Sequence, residues 1–193
     1  MKINYLSNRH HLFRPLIFLS VLLLAAVLPA GCESEEPPPK EMTLALSSAA
    51  FQDGGSIPDR YTCEGQDISP QLSWSEPPAG TQSLALIVDD IDTSGKFTHW
   101  VIFNIPSTSR ELAETVPAQP QLSGGALQGK NDFGNIGYGG PCPPSGKPHR
   151  YRFTLYALDS SLELEADASK KQVLDAMEGI IIAQGQLIGT YQR

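Results

Sequence analysis

Arg150-Tyr151-Arg152-Phe153-Thr154-Leu155-Tyr156-Ala157-Leu158 decides the fold. Its apolar side chains at 151, 153, 155 and 157 alternate with Arg152, Thr154 and Tyr156, the two-residue period of a half-buried β-strand. Outward from it, Met42 to Leu46, Gln71 to Trp74, Ser83 to Asp89 and His99 to Ile105 are short apolar or alternating runs bounded by Gly, Pro, Asn and Asp, and read as further strands. One helix is predicted over Lys170 to Glu178, with Ala168-Ser169 as its cap region, Val173, Leu174 and Met177 on one face and Gly179 as its stop. Ile180 to Ala183 reads as a last helical turn and Leu187 to Tyr191 as a closing strand. Many strands and little helix predict an all-β antiparallel sandwich, with one or two short peripheral helices. The stretch from Pro117 to Pro148 is dense in Gly and Pro, and loops of that length in a compact domain are usually functional.

The amino terminus has a different character. Lys2, Arg9 and Arg14 precede an apolar run from Leu16 to Leu28, which is a signal-peptide pattern and is shorter than the about 20 residues that span a bilayer. Leu28-Pro29-Ala30-Gly31-Cys32 follows, similar to a lipobox except for Pro29, and this places lipidation on Cys32; ordinary cleavage near Ala30 is the alternative. Glu33 to Glu41 is charged and Pro-rich, suited to an extended tether. The chain thus divides into a signal segment (1–31), a tether (32–41) and one domain (42–193), exported and lipid-anchored in the cell envelope, at the outer membrane or in the periplasm if the organism has them.

Removal of residues 1–31 leaves 11 basic against 21 acidic residues, a net charge near −10. That balance argues against nucleic acid and against anionic membrane surfaces as partners, since both need a basic face. Cys63 and Cys142 are too far apart for a CxxC motif. In an oxidising compartment they read as a disulfide, with two separate buried thiols as the alternative.

Two segments concentrate the polar chemistry. Val88 to Trp100 leaves a strand through Asp89, Asp90 and Asp92 and re-enters one at His99; Gly137 to Tyr151 is a Gly/Pro loop that re-enters a strand at His149. Glycines 139 and 140 allow backbone N–H groups close to a ligand. His99, His149 and Arg150 suit phosphate oxygens, Asp90 and Asp92 suit an ammonium group, and Trp100, Tyr138 and Tyr151 suit walls, so a zwitterionic phosphorylated head group matches both signs. The plainer reading makes the histidines structural, the aspartates solvated turns and the aromatics packing residues.

Tyr61 to Trp74, Val88 to Asp92 with His99-Trp100-Val101 and Asn104-Ile105-Pro106, and Gly137 to Leu158 resemble, in order, the sequence blocks of the phosphatidylethanolamine-binding protein family in its bacterial Raf-kinase-inhibitor-like branch. The resemblance implies a β-sandwich of Greek-key type with a small anion pocket. It places Asp90, Asp92, His99, Trp100, Gly140, Pro141, His149 and Tyr151 at that pocket, and puts Cys63 and Cys142 where bacterial relatives often carry a cysteine pair. Asp90-Ile91-Asp92-Thr93-Ser94 keeps the carboxylates of the family's Asp-Pro-Asp-x-Pro block without its prolines. The implied function is a binding module for a small phosphorylated or zwitterionic ligand, with inhibition of a kinase or peptidase partner as an extension and with no cofactor. Two competing readings are a scaffolding lipoprotein with a vestigial pocket and a hydrolase or metalloenzyme built on the Asp and His residues. The chain has no HExxH and no GxSxG to support the latter.

Overall fold

The computed structural model describes residues 42–193; the signal segment, the tether and Cys32 lie outside the described residues. Nine strands and one α-helix form two sheets and a helical layer. The strands are β1 (Met42–Thr43), β2 (Leu46–Ser47), β3 (Leu72–Trp74), β4 (Ser83–Asp90), β5 (Phe97–Pro106), β6 (Glu111–Leu112), β7 (Leu127–Gln128), β8 (His149–Leu158) and β9 (Ile181–Tyr191), with α1 (Lys170–Met177) between the last two. The larger sheet has the order β1-β9-β8-β4-β5-β7 and is antiparallel except where β1 runs parallel to β9. The smaller, β2-β3-β6, is antiparallel throughout.

The alternation in β8 builds the main core. Tyr151, Phe153, Leu155 and Ala157 face inward with Leu84, Leu86 and Val88 of β4, against Leu46, Leu72, Trp74 and Leu112 of the smaller sheet. The opposite face of β8 was expected in solvent, yet Thr154 on it is only 4 % exposed. A second core explains this: Ala85, Ile87, Val101 and Phe103 of the large sheet pack under Val173 and Met177 of α1. Both faces of the central strands are therefore covered, and every residue of β4 is buried.

Helix α1 begins with a capping box in which the Ser169 side chain accepts from the Gln172 backbone and the Gln172 side chain accepts from the Ser169 backbone. Leu174 differs from expectation: with Val173 and Met177 pointing at the sheet, it is 37 % exposed. Ile180 to Ala183 is also not a helical turn. Gly179 turns the chain at φ +81°, and β9 then pairs with β8 from Leu158↔Ile181 to His149↔Tyr191. β-branched residues opposite an unfilled sheet edge gain a full ladder of hydrogen bonds there, which one more helical turn could not supply.

Candidate functional site

The site lies where β4, β5 and β8 run out at the same end of the large sheet. Asp90, the last residue of β4, pairs with Phe97 of β5 and Tyr151 of β8, which sets all three side chains on the sandwich side. His99 arrives there by an irregularity. Val88 pairs with Trp100 and Asp89 with Thr98, so His99 is the extra residue of a β-bulge. The bulge turns His99 toward the same side as Trp100, and its ring meets Tyr151 edge-on at 5.1 Å.

Asp90 is 2 % exposed and joins the two segments. Its Oδ2 accepts the Nδ1–H of His149 at 2.7 Å, and its Oδ1 accepts the backbone N–H of Asp92 at 2.9 Å. Both carboxylate oxygens are thus engaged, and Nε2 is the ring nitrogen of His149 left for a ligand. His99 Nδ1–H donates to the Gly139 carbonyl at 2.7 Å, and because a carbonyl can only accept, this fixes the tautomer with Nε2 as an acceptor. Burial lowers the His99 pKa, only partly offset by the nearby carbonyls and Asp90, so the ring is held neutral.

Asp90 and His99 line a cavity of about 160 Å³ with Thr93, Phe97, Phe133, Cys142, Pro143 and Pro144. His149, bonded to Asp90, lines a separate open groove with Asp92, Lys147, Pro148, Arg150 and Thr190. Tyr151 packs beneath, fully buried; its hydroxyl makes no hydrogen bond of good geometry, although the Asp90 carboxylate and the Cys142 backbone are close enough to act on it. Burial first, then the Asp90 charge, raises the Tyr151 pKa, and the Cys142 backbone acts on it in the opposite sense. The hydroxyl is therefore close to two groups that form the cavity wall, Asp90 and Cys142.

Several residues expected at the pocket have other duties. Asp92 is not a free partner for an ammonium group: Arg150 grips it with Nε at 3.0 Å and Nη2 at 2.6 Å, and this hydrogen bonding holds the Asp92 carboxyl at a pKa of about 2. The N–H groups of Gly139 and Gly140 are not aimed at a ligand, because the first donates to the His99 carbonyl and the second to Asp67 Oδ1 at 2.6 Å. Gly140 is needed for packing instead; a Cβ there would lie 2.4 Å from the Tyr61 carbonyl oxygen. The Pro141 carbonyl accepts from the Cys63 N–H. Trp100, fully buried, donates from Nε1 to Gln128 and meets Tyr138 edge-on, away from the cavity wall. Cys63 and Cys142 form a disulfide, so one wall of the cavity is tied to the segment after Tyr61. Thr93, Phe97, Phe133, Pro143 and Pro144 were not anticipated as lining residues. Phe133 alone carried a signal, as an apolar residue in an otherwise polar turn.

Among the described residues, no group of three or more His, Cys, Asp or Glu is placed to hold a metal ion, and no helix is long and apolar enough to cross a membrane. A sequence profile described as phosphatidylethanolamine-binding protein matches residues 47–192. A UPF0098 protein of Methanothermobacter thermautotrophicus is 56 % identical over 149 residues, covering 77 % of this chain and 98 % of its own. The crystal structure of a phosphatidylethanolamine-binding protein homologue from Chlamydia trachomatis superposes with a TM-score of 0.71 at 43 % identity, over 78 % of this chain and 98 % of that one. Escherichia coli YbcL, described as a member of the mammalian family, gives 0.72 at 33 % identity over the same shares.

Proposed function

The chain belongs to the phosphatidylethanolamine-binding protein family, and on that premise we propose that it is a binding module for a small phosphorylated group, such as a head-group phosphomonoester, held in the cavity beside Asp90 and His99. The observation that carries this reading is the small cavity walled by buried Asp90 and His99, with the Tyr151 hydroxyl beneath it short of a well-formed hydrogen bond. A buried donor left unmade costs roughly 1–3 kcal/mol, and such groups mark places where a ligand or ion completes the bonding. A phosphomonoester monoanion supplies what is missing. Its P–O⁻ oxygens accept from the Tyr151 hydroxyl, while its P–OH donates to His99 Nε2, the ring nitrogen left free by the Gly139 bond. Asp90, with both oxygens already accepting hydrogen bonds, does not compete for the same donors.

We include in the proposal that the domain works outside the cytoplasm on a lipid anchor at Cys32. The Cys63–Cys142 disulfide supports the oxidising compartment, and loss of palmitate labelling in Cys32→Ser checks the anchor.

Tyr151→Phe tests the pocket with two effects of opposite sign. Removing the poorly bonded hydroxyl raises the stability of the ligand-free protein, by up to about 1 kcal/mol. The same change weakens binding of inorganic phosphate, followed by joint shifts of the His99 and His149 imidazole NMR signals in the full-length protein. Unchanged spectra at millimolar phosphate, or equal affinity in Tyr151→Phe, count against the reading.

A further inference from the structure

We propose that Phe133 selects the group esterified to the phosphate, and that the preferred ligands are phosphomonoesters of an aromatic group; this rests on the cavity being the phosphate site. Phe133 is 45 % exposed, one of three large hydrophobic side chains so exposed among the described residues, and it stands at the cavity wall. A surface phenylalanine is ordinarily mobile, but this one is fixed. Buried Asn131 builds its turn, with Oδ1 accepting the N–H of Phe133 at 3.1 Å and of Asn135 at 3.0 Å, and Nδ2 donating to the Gly137 carbonyl at 3.0 Å. The ring meets Phe97 at 4.8 Å and His99 at 5.4 Å, and it lies so close on Gly139 that a Cβ there would come within 2.7 Å of it. A buried, fully bonded amide thus holds an apolar ring half in water beside a polar cavity.

The cavity is small, so a group esterified to a phosphate seated within it extends beyond it among the apolar lining residues Phe133, Pro143 and Pro144. These walls are flat and apolar and carry no side-chain hydrogen-bonding group. An ethanolammonium tail gains little there, since Asp90 is already doubly bonded and Asp92 is gripped by Arg150. An aryl ring gains the edge-to-face contact that Phe133 presents.

Calorimetric titration of the full-length protein with inorganic phosphate, phosphoethanolamine and phenyl phosphate tests this. Phenyl phosphate should bind about three- to tenfold more tightly than either of the others. In Phe133→Ala the ratio of phenyl phosphate to inorganic phosphate affinity should fall to about one, and in Phe133→Leu, which keeps apolar area but no ring, it should lie between. A ratio near one in the wild type, or a ratio untouched by Phe133→Ala, overturns the proposal and leaves the phosphate site standing. Failure of inorganic phosphate to bind the wild type removes the phosphate site and this inference with it.

Discussion

Replacing Cys63 and Cys142 together by serine should destabilise the domain chiefly through its unfolded state. The bridge closes a loop with a sequence separation of 79 residues. In the chain-entropy treatment a loop of that size contributes about 15 cal/mol/K, or roughly 4.5 kcal/mol at 25 °C. That is an upper figure, because a compact denatured chain already restricts the loop. The native side of the balance should change little. The same segments are joined by the Cys63 N–H to the Pro141 carbonyl at 3.1 Å, Gly140 N–H to Asp67 at 2.6 Å, and the Tyr138 hydroxyl to the Tyr61 carbonyl at 2.8 Å. Urea unfolding of the full-length double variant should therefore show a native spectrum and a loss of about 3–4.5 kcal/mol, a midpoint shift of roughly 2 M for an m-value near 2 kcal/mol/M. A loss below about 1 kcal/mol would refute the entropic reasoning. A disordered native spectrum would refute the claim that neighbouring hydrogen bonds hold the cavity wall.

Burial depresses the His99 pKa, so the unfolded chain binds more protons than the native one just below pH 6.5. Stability contributed by neutral His99 is complete above that pH and declines as pH falls toward its lower native pKa, with a slope of at most about 1.4 kcal/mol per pH unit; stability curves for wild type and His99→Gln should diverge in that window and run parallel above it. Asp92 should titrate near pH 2 in the wild type and move up into the ordinary carboxylate range in Arg150→Met, followed by carboxyl carbon NMR; no movement would show that Arg150 is not the cause. Lys170→Met should cost about 2–3 kcal/mol in thermal unfolding, because Asp89, with its side chain 7 % exposed, loses its Nζ partner at 2.7 Å; a loss within about 0.5 kcal/mol would mean the pair adds nothing net.

The sequence made the sandwich legible wherever a period ran long enough to be counted. β8 alternates from Tyr151 to Ala157 and β4 is apolar over most of its eight residues, and both are legible as strands. The smaller sheet has strands of two or three residues, too short for any period, and its edges were correspondingly faint. Ile180 to Ala183 failed for a related reason: a four-residue apolar run fits helix and strand alike, and only the partner strand decides. At the site, the ends of β4 and β8 were visible as polar residues closing apolar runs, which drew attention to Asp90 and His149. Local sequence could not show that Asp92 is taken by Arg150, or the Gly140 N–H by Asp67, since those partners are 58 and 73 residues away.

His99 shows the limit most sharply. Strict alternation along β5 puts Trp100 on the sandwich side and sends His99 to the helix side, beside Val101, where it would face the apolar layer under α1. One extra residue opposite β4 reverses that assignment and brings the ring to Tyr151. No glycine or proline lies at positions 97–101 to announce the bulge. The ordered blocks shared with the family pointed to His99 because such a resemblance compares positions and is indifferent to which face a side chain takes. Periodicity tells faces apart but cannot see an unmarked insertion, so the two kinds of reading fail at different places, and the site sits where the second one does.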